Sequence, residues 1–173
     1  MDRDETIVTR GALSGRTAIV VGTGGEEGAA VSFALSRAGA GVVLAARPGP
    51  KLTALAAGLV SAGGQAVAAA VDVTDPASVR RLVEQTLGAF GRLDLAVNEV
   101  RGRALAVAMT YQLAAMRLTG GGHIVNLAAA EPARTHAGSG VRIDTVSAAL
   151  YGGPEELAAA VVSLCTGPAG SAR

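Results

Sequence analysis

A glycine-rich turn near the start of the chain has the residue types that can hold a phosphate group. The apolar segment Thr17–Val21 runs into Gly22-Thr23-Gly24-Gly25-Glu26-Glu27-Gly28, and a helical pattern follows. Glycines at such a turn let the backbone come close to a diphosphate. The free N–H groups and the positive dipole end of the helix then stabilise its charge. The turn therefore predicts a nucleotide-binding crossover at the first strand.

The same turn carries two carboxylates, Glu26 and Glu27, where a diphosphate would approach. Carboxylates in the first turn of a helix are stabilised by its dipole, by about 0.3–1 kcal/mol, and they can occupy the free N–H groups themselves. Ordinary helix-start chemistry therefore explains the pair, but it also predicts competition with a bound phosphate. We expect Glu26 to fill the anion site.

Further polar residues follow the later strand patterns. We expect His136, Glu131, Asp144, Glu99 and Tyr151 at or beyond the carboxyl ends of strands four, five and six. Ligands of open α/β sheets bind at that edge, beside the topological switch point. His136, Tyr151, Glu99 and Asp144 are the candidate acids or bases for a proton-transfer step. Each is also explained as a solvated loop side chain.

These residues depend on an alternation of strand and helix patterns along the chain. Apolar runs predict strands at 17–21, 41–46, 65–71, 93–97, 123–127 and 141–146, and helical patterns lie between most of them. Asp75-Pro76 is typical of a helix start, with an N-cap and a first-turn proline. Residues 131–140 have no helical period, so we expect a loop there. The predicted fold class is α/β, a Rossmann-like, doubly wound parallel sheet of about six strands.

Composition limits the class of protein. The chain has 173 residues, half of them hydrophobic, which predicts one domain over 1–173, with an N-terminal arm (1–14) and a flexible tail (166–173). A net charge of +1 and only two Tyr and two Phe argue against nucleic acid. Cys165 is the only cysteine, and we expect no metal site. Without a leader or a membrane-length apolar run, we expect a soluble cytoplasmic protein and no membrane partner.

Taken in order, the motifs resemble those of the short-chain dehydrogenase/reductase family. The resemblance rests on the turn at 21–28, Asp72-Val73, the Asp-x-x-x-Asn at 94–98, the Gly-Gly-x-Ile-Val-Asn at 121–126, residues 142–144 and Pro154-Glu155-Glu156. It implies oxidation or reduction of carbonyls and alcohols with NAD(P)(H). It also implies the residues that would contact NADP(H) if this cofactor binds, namely Gly22, Gly24, Gly28, Arg47, Asp72 and Asn98.

Two of these positions have a second explanation. By resemblance, Arg47 would favour the 2′-phosphate of NADP, yet it could equally be a solvated strand end. Asp72 would meet the adenine amino group, yet an aspartate there could equally cap the following turn.

The family's catalytic residues are missing from this chain. In the family, a tyrosine made acidic by a lysine four residues later moves the proton, because phenol titrates near pH 10 and needs a nearby cation. Here Lys51 is the only lysine, and the catalytic serine and the supporting asparagine are replaced by Ala129 and Ala108. The helix that carries tyrosine and lysine is also absent, since only about a dozen residues separate strands five and six.

Loss of that helix predicts an uncovered sheet face. Another subunit, the rearranged loop or a ligand must cover it, and we expect a homo-oligomer, in particular a dimer.

Three functions are compatible with these patterns. We expect first a non-redox enzyme that acts on a small molecule without a cofactor, by proton transfer, cyclisation, isomerisation or dehydration, as in secondary metabolism. The first alternative is a non-catalytic binding or scaffolding protein. The second is an NADP(H)-dependent oxidoreductase with an atypical proton donor.

Overall fold

Residues 11–128, 133–136 and 140–167 are described by a computed structural model, and side chains by the first and last of these ranges. The strands are β1 Thr17–Val21, β2 Gly41–Ala46, β3 Ala66–Ala70, β4 Leu95–Asn98, β5 Gly122–Ala128, β6 Ala133–His136 and β7 Val141–Ser147. The α-helices are α1 Glu26–Arg37, α2 Pro50–Ser61, α3 Pro76–Phe90, α4 Gly102–Leu118 and α5 Pro154–Thr166. Most of the predicted arm and tail lies outside these ranges.

All seven strands belong to one sheet, in the order β3-β2-β1-β4-β5-β7-β6. Every pairing is parallel except that of β6 with β7. Helices α1, α2 and α5 pack on one face of the sheet and α3 and α4 on the other. The chain reverses its direction of winding between β1 and β4, and a crevice forms at such a point. The predicted doubly wound α/β fold is confirmed.

The start of α3 shows how local sequence sets an element. The Asp75 carboxylate accepts hydrogen bonds from the backbone N–H groups of Ala77 and Ser78, each at 3.1 Å, and Pro76 is the first helical residue. Such a cap contributes about 1 kcal/mol. At the other end, Gly91 has a left-handed φ of 77°, which stops the helix. The predicted start at Asp75-Pro76 is confirmed.

The expected loop at 131–140 is wrong in part. Residues Ala133–His136 form β6, with Ala133 opposite Thr145 and His136 opposite Arg142. A strand rises about 3.3 Å per residue and a helix only 1.5 Å, so a returning strand brings the chain back to the amino edge with far fewer residues. This strand takes the place of the crossover helix, and β5 and β7 still pair in parallel.

One face of β7 is incompletely covered. Val141 and Ile143 point to the face that carries α3 and α4, whereas Val146 points to the opposite face. Val141 is buried, but Ile143 and Thr145 stay partly exposed. The sequence-based expectation of an uncovered sheet face thus applies to the middle of β7, at Ile143 and Thr145.

None of the helices in the described ranges has both the length and the apolar character to cross a membrane.

Candidate functional site

A cavity of about 530 Å³ opens at the carboxyl edge of β1, β2 and β3. One wall is the glycine turn at 22–24, and the others are apolar, from Ala45, Ala46, Val71, Val73 and Val100. Arg47, at the end of β2, and Lys51, in the first turn of α2, add two cations. Apolar walls with a few polar groups are what a nucleoside-sized ligand needs.

The glycine turn contains a buried hydroxyl group that can bond a ligand. Thr23 is only 6 % exposed, and its Oγ1 has no hydrogen-bond partner among the described residues, although the residue lines the cavity. A buried hydroxyl without a partner is costly, so one is expected from a ligand or water. Gly22 has a φ of 95°, and a Cβ there would lie 2.8 Å from the backbone oxygen of Glu99. Only glycine therefore fits at this position.

Asp72 caps the turn that follows β3. Its Oδ1 accepts hydrogen bonds from the Thr74 hydroxyl at 2.6 Å and from the Thr74 N–H at 2.9 Å. These bonds, and then the charge of Arg47, hold the pKa of this exposed carboxyl below its usual value. The capping explanation of Asp72 is the one that the structure supports directly, while Arg47 lies at the cavity as the resemblance implied.

Asn98, the last of the predicted cofactor contacts, has its side chain engaged within the protein. It is fully buried at the end of β4, and its amide bonds with Gln112 of α4 and Asn126 of β5. Those bonds use both amide N–H groups and the carbonyl oxygen of Asn98. Its side chain therefore links β4 to α4 and β5 at the carboxyl edge of the sheet. Gln112 was missed because a single glutamine within an otherwise mixed helix carries no distinctive spacing.

The space above the glycine turn is occupied by Glu99, not by Glu26 as expected. A Cβ placed on Gly25 would lie 3.0 Å from Oε1 of Glu99, and one on Gly28 would lie 2.9 Å from Oε2. Glu26 points into solvent, whereas Glu27 is partly buried and faces Glu99. Residue 99 reaches the turn because β4 pairs with β1, which local helix-start reasoning could not reveal.

The carboxyl groups of Glu27 and Glu99 face each other as a pair, and the pKa of Glu99 is shifted. Burial, and then the hydrogen bond and the charge of Glu27, raise the pKa of Glu99 to about 7, while the Gly28 N–H and Arg101 oppose the rise. Burial disfavours the charged carboxylate, and two carboxyl groups this close favour sharing a proton. The pair, together with Arg101, Leu127, Ala128, Ala148 and Ala149, lines a small cavity of about 90 Å³.

Tyr151 stays at the same edge of the sheet as the carboxyl pair. It follows a short 3₁₀ turn, Ala148–Leu150, directly after β7, and its ring packs partly buried against the core on the α1 and α5 face. Glu131 lies outside the described residues.

Two other predicted catalytic residues lie elsewhere. His136 ends β6, which runs antiparallel, so its backbone pairs with Arg142 at the amino edge and not at the carboxyl edge. Asp144 is buried in the middle of β7, where its Oδ2 lies 2.6 Å from Nε2 of His123 and 3.1 Å from Nε of Arg142. For both residues, the expected carboxyl-edge position is wrong, because the direction of β6 and the register of β7 were unknown from sequence.

Cys165 is not available as a nucleophile at the carboxyl edge of the sheet. Its thiol is buried in α5, and burial raises its pKa to about 12. Among the described residues, no group of three or more His, Cys, Asp or Glu side chains is arranged to hold a metal ion.

The match to a known family covers residues 16–111, and the family is described as short chain dehydrogenase. This segment is more than half of the chain and contains the glycine turn, Arg47 and Asn98. The chain belongs to the short-chain dehydrogenase family. The resemblance seen in the sequence is therefore confirmed.

Curated relatives match this chain over part of its length. An uncharacterised oxidoreductase of Mycobacterium tuberculosis is 39 % identical over 90 residues, which cover 52 % of this chain and 34 % of the relative. A 1-deoxy-11-beta-hydroxypentalenate dehydrogenase of Streptomyces arenae is 40 % identical over 83 residues, 48 % of this chain and 29 % of the relative. The matched segment thus spans about a third of these relatives.

Solved structures extend the similarity in fold. A metagenomic short-chain oxidoreductase in complex with NADP superimposes with a TM-score of 0.79 at 24 % identity, over 91 % of this chain and 93 % of that one. A hydroxysteroid dehydrogenase from Escherichia coli gives a TM-score of 0.63 at 21 % identity, over 69 % and 57 %. Because both identities are below 25 %, these comparisons show that the fold is shared and nothing further.

The expected non-redox enzyme is wrong. The family is one of dehydrogenases, and its similar members are oxidoreductases and dehydrogenases. That expectation took the absence of the family's tyrosine and lysine to mean the absence of redox chemistry. Loss of one proton donor removes a catalytic group, but it leaves the glycine turn and the cavity beside it.

Proposed function

We propose that this short-chain dehydrogenase is an NADP(H)-dependent oxidoreductase of a small molecule, with an atypical proton donor. The observation that carries the proposal is the cavity of about 530 Å³ beside the glycine turn, with Arg47 and Lys51 on its wall. The complex of the metagenomic relative with NADP supports the same cofactor class. This proposal replaces the expectation of a protein that acts without a cofactor.

The residues present fit the adenosine half of the cofactor. The apolar wall suits a purine ring, and the unpartnered Thr23 hydroxyl can bond a ribose or phosphate oxygen. Arg47 and Lys51 supply two cations on one side of the cavity, which is suited to the 2′-phosphate that distinguishes NADP from NAD. The diphosphate position at the start of α1 is compatible only if the Glu99 carboxyl there loses its charge or moves.

Bound NADPH would supply a hydride, so the protein must supply a proton to the reduced oxygen. Tyr151 is the candidate in place of the missing tyrosine, because it is the predicted acid that lies at the carboxyl edge after β7 and outside the diphosphate position. Solvent would return the proton to the phenol.

A nucleotide titration tests this function. NADPH is expected to raise the melting temperature of the purified protein at pH 6.5 and to bind more tightly than NADH. Arg47→Ala is expected to weaken NADPH binding by about 10- to 100-fold, as for loss of a charge-assisted hydrogen bond of 1.5–3 kcal/mol, and to leave NADH binding nearly unchanged.

Arg103→Ala is the matched control, because Arg103 is an exposed arginine that does not line the cavity. If neither nucleotide binds at any pH between 6 and 8, the proposed function is wrong.

The homo-oligomer belongs to the same proposal. Ile143 and Thr145 remain partly exposed on the sheet face left without a crossover helix, and a second copy could bury them. The cytoplasmic location stays a prediction from the sequence.

A further inference from the structure

We propose that the Glu27–Glu99 carboxyl pair must take up a proton when a dinucleotide diphosphate binds at the glycine turn. This inference rests on the proposed function and adds a form of regulation to it. Cofactor affinity would then depend on pH through two residues that stand outside the adenosine cavity.

The pair stands where the diphosphate of a dinucleotide has to lie. Gly25 is the N-cap of α1 and makes no side-chain cap bond, so the first N–H groups of the helix are left to other acceptors, and the Gly28 N–H bonds Glu99. The carboxyl oxygens of Glu99 lie against Gly25 and Gly28 at this helix end. A ligand phosphate and the Glu99 carboxylate would therefore compete for the same N–H groups.

The charges around the carboxyl pair determine whether its ionised or its protonated form is compatible with a bound anion. Glu27 faces Glu99 from α1, and Arg101, just after β4, is the cation of the small cavity that they share. The other described lining residues of this cavity, from β5 and from the segment after β7, are apolar. With both carboxyl groups ionised, one arginine faces two negative charges before any ligand arrives. A diphosphate would add about two more, and repulsion at such short range is strong in a partly buried site.

Protonation changes both the charge and the hydrogen-bonding capacity of the site. An ionised carboxylate only accepts hydrogen bonds, whereas a protonated carboxyl group donates one. A proton held between Glu99 and Glu27 removes the negative charge of the buried Oε2 of Glu99, which would otherwise repel a phosphate oxygen. The raised pKa of Glu99, to about 7, means that this proton is available near neutral pH. The unpartnered Thr23 hydroxyl beside the same turn is a second buried group that awaits a ligand.

Linkage fixes the sign of the effect. A ligand that prefers the protonated pair binds less tightly as the pH rises above about 7, by about tenfold per pH unit for one linked proton. Below that pH the pair is already protonated, and the affinity levels off. By reciprocity, the bound ligand raises the pKa of the pair.

Isothermal titration calorimetry with NADPH measures both the affinity and the protons exchanged. Titrations at pH 7.0, 8.0 and 9.0, in two buffers of different ionisation enthalpy, are expected to show uptake of about one proton at pH 8 or above, and a dissociation constant that rises about tenfold per unit. This range lies above the titration of a phosphate monoester near pH 6, so the 2′-phosphate does not contribute. NADH, which lacks that group, is expected to give the same slope.

Glu99→Gln is expected to abolish the proton uptake and to bind NADPH at pH 9.0 at least as tightly as the wild type does at pH 7.0. Glu26→Gln is the matched control, because Glu26 lies on the same helix turn but points into solvent, and it is expected to keep the wild-type slope. Circular dichroism checks that each variant folds. Glu27→Gln replaces the other member of the pair and serves if Glu99→Gln does not fold.

Binding by Glu99→Gln at pH 9.0, without binding by the wild type at that pH, would also support the inference. Wild-type binding that is independent of pH and exchanges no protons would overturn it and leave the proposed function intact. Failure of the wild type and of both variants to bind either nucleotide at any pH would overturn the inference and the proposed function together.

Discussion

Asn98 and Gln112 exchange two hydrogen bonds beneath the carboxyl edge of the sheet. Nδ2 of Asn98 donates to Oε1 of Gln112 at 2.9 Å, and Nε2 of Gln112 donates to Oδ1 of Asn98 at 2.8 Å. Nδ2 of Asn98 also donates to Oδ1 of Asn126 at 3.1 Å. Because Glu99 directly follows Asn98, this buried network helps to determine where the Glu99 carboxyl lies.

Replacement of Gln112 by alanine is expected to lower the free energy of unfolding by about 2–4 kcal/mol. The change leaves the carbonyl oxygen and one N–H of the buried Asn98 amide without partners, and it leaves a cavity in α4. Urea denaturation measures the effect. Gln85→Ala, on the exposed side of α3, is the matched control and is expected to change stability by no more than about 0.5 kcal/mol. Equal effects of the two substitutions would contradict a structural role for the network.

The raised pKa of Glu99 predicts a pH-dependent stability. Since the folded-state pKa of about 7 lies above the ordinary value of 4.5, the folded protein binds this proton more tightly than the unfolded chain does. The contribution is therefore fully present below about pH 4.5 and is lost as the pH rises through about 7. Because Glu99 is only half-buried, solvent screening reduces the expected loss to about 1–2 kcal/mol.

Denaturation of the wild type and Glu99→Gln between pH 5 and pH 8 tests this. The stability of the wild type is expected to fall relative to that of the variant across this range, because glutamine has no proton to lose. Glu26→Gln is expected to follow the wild type. Parallel curves for the wild type and Glu99→Gln would show that the carboxyl pair does not titrate as described.

The partly exposed face of β7 predicts self-association. Sedimentation equilibrium is expected to give twice the chain mass of 17.0 kDa at micromolar concentration. Ile143→Lys places a charge on the uncovered face and is expected to shift the protein to the monomer, because an unpaired charge is costly to bury. Val60→Lys changes an exposed apolar residue on α2, far along the sheet, and should leave the assembly unchanged. A monomeric wild type would contradict the proposed dimer.

Periodicity and capping residues were sufficient to predict most elements of the fold. The strand at Thr17–Val21, the one at Gly41–Ala46 and the helix start at Asp75-Pro76 were predicted with the bounds that the structure has. Strand β6 was missed because the segment Ala133–His136 has no alternation of apolar and polar residues. Only its pairing with β7 makes it a strand.

The candidate site was predictable to the extent that it is local in sequence. The glycine turn and Arg47 lie at the cavity as expected, because a turn and the end of an adjacent parallel strand meet at one edge. Lys51 was not predicted as part of the cavity, since its place depends on how α2 packs against β2. Asp144 was misplaced because its pairing with Val125, in the middle of β5, depends on the register of β7, which the sequence pattern does not show.

The sequence by itself therefore determined the family, the order of elements and the glycine turn, since each depends on contacts between neighbours in the chain. The tertiary structure decided that Glu99 and not Glu26 occupies the anion site, and that Asn98 is held by Gln112 and Asn126. Such contacts join residues that are distant in the chain, from 14 positions for Asn98 and Gln112 to 77 for the bond from Thr17 to Asp94. The parallel pairing of β4 with β1 brings Glu99 to the turn, and that of β4 with β5 brings Asn98 to Asn126; no local propensity encodes either pairing.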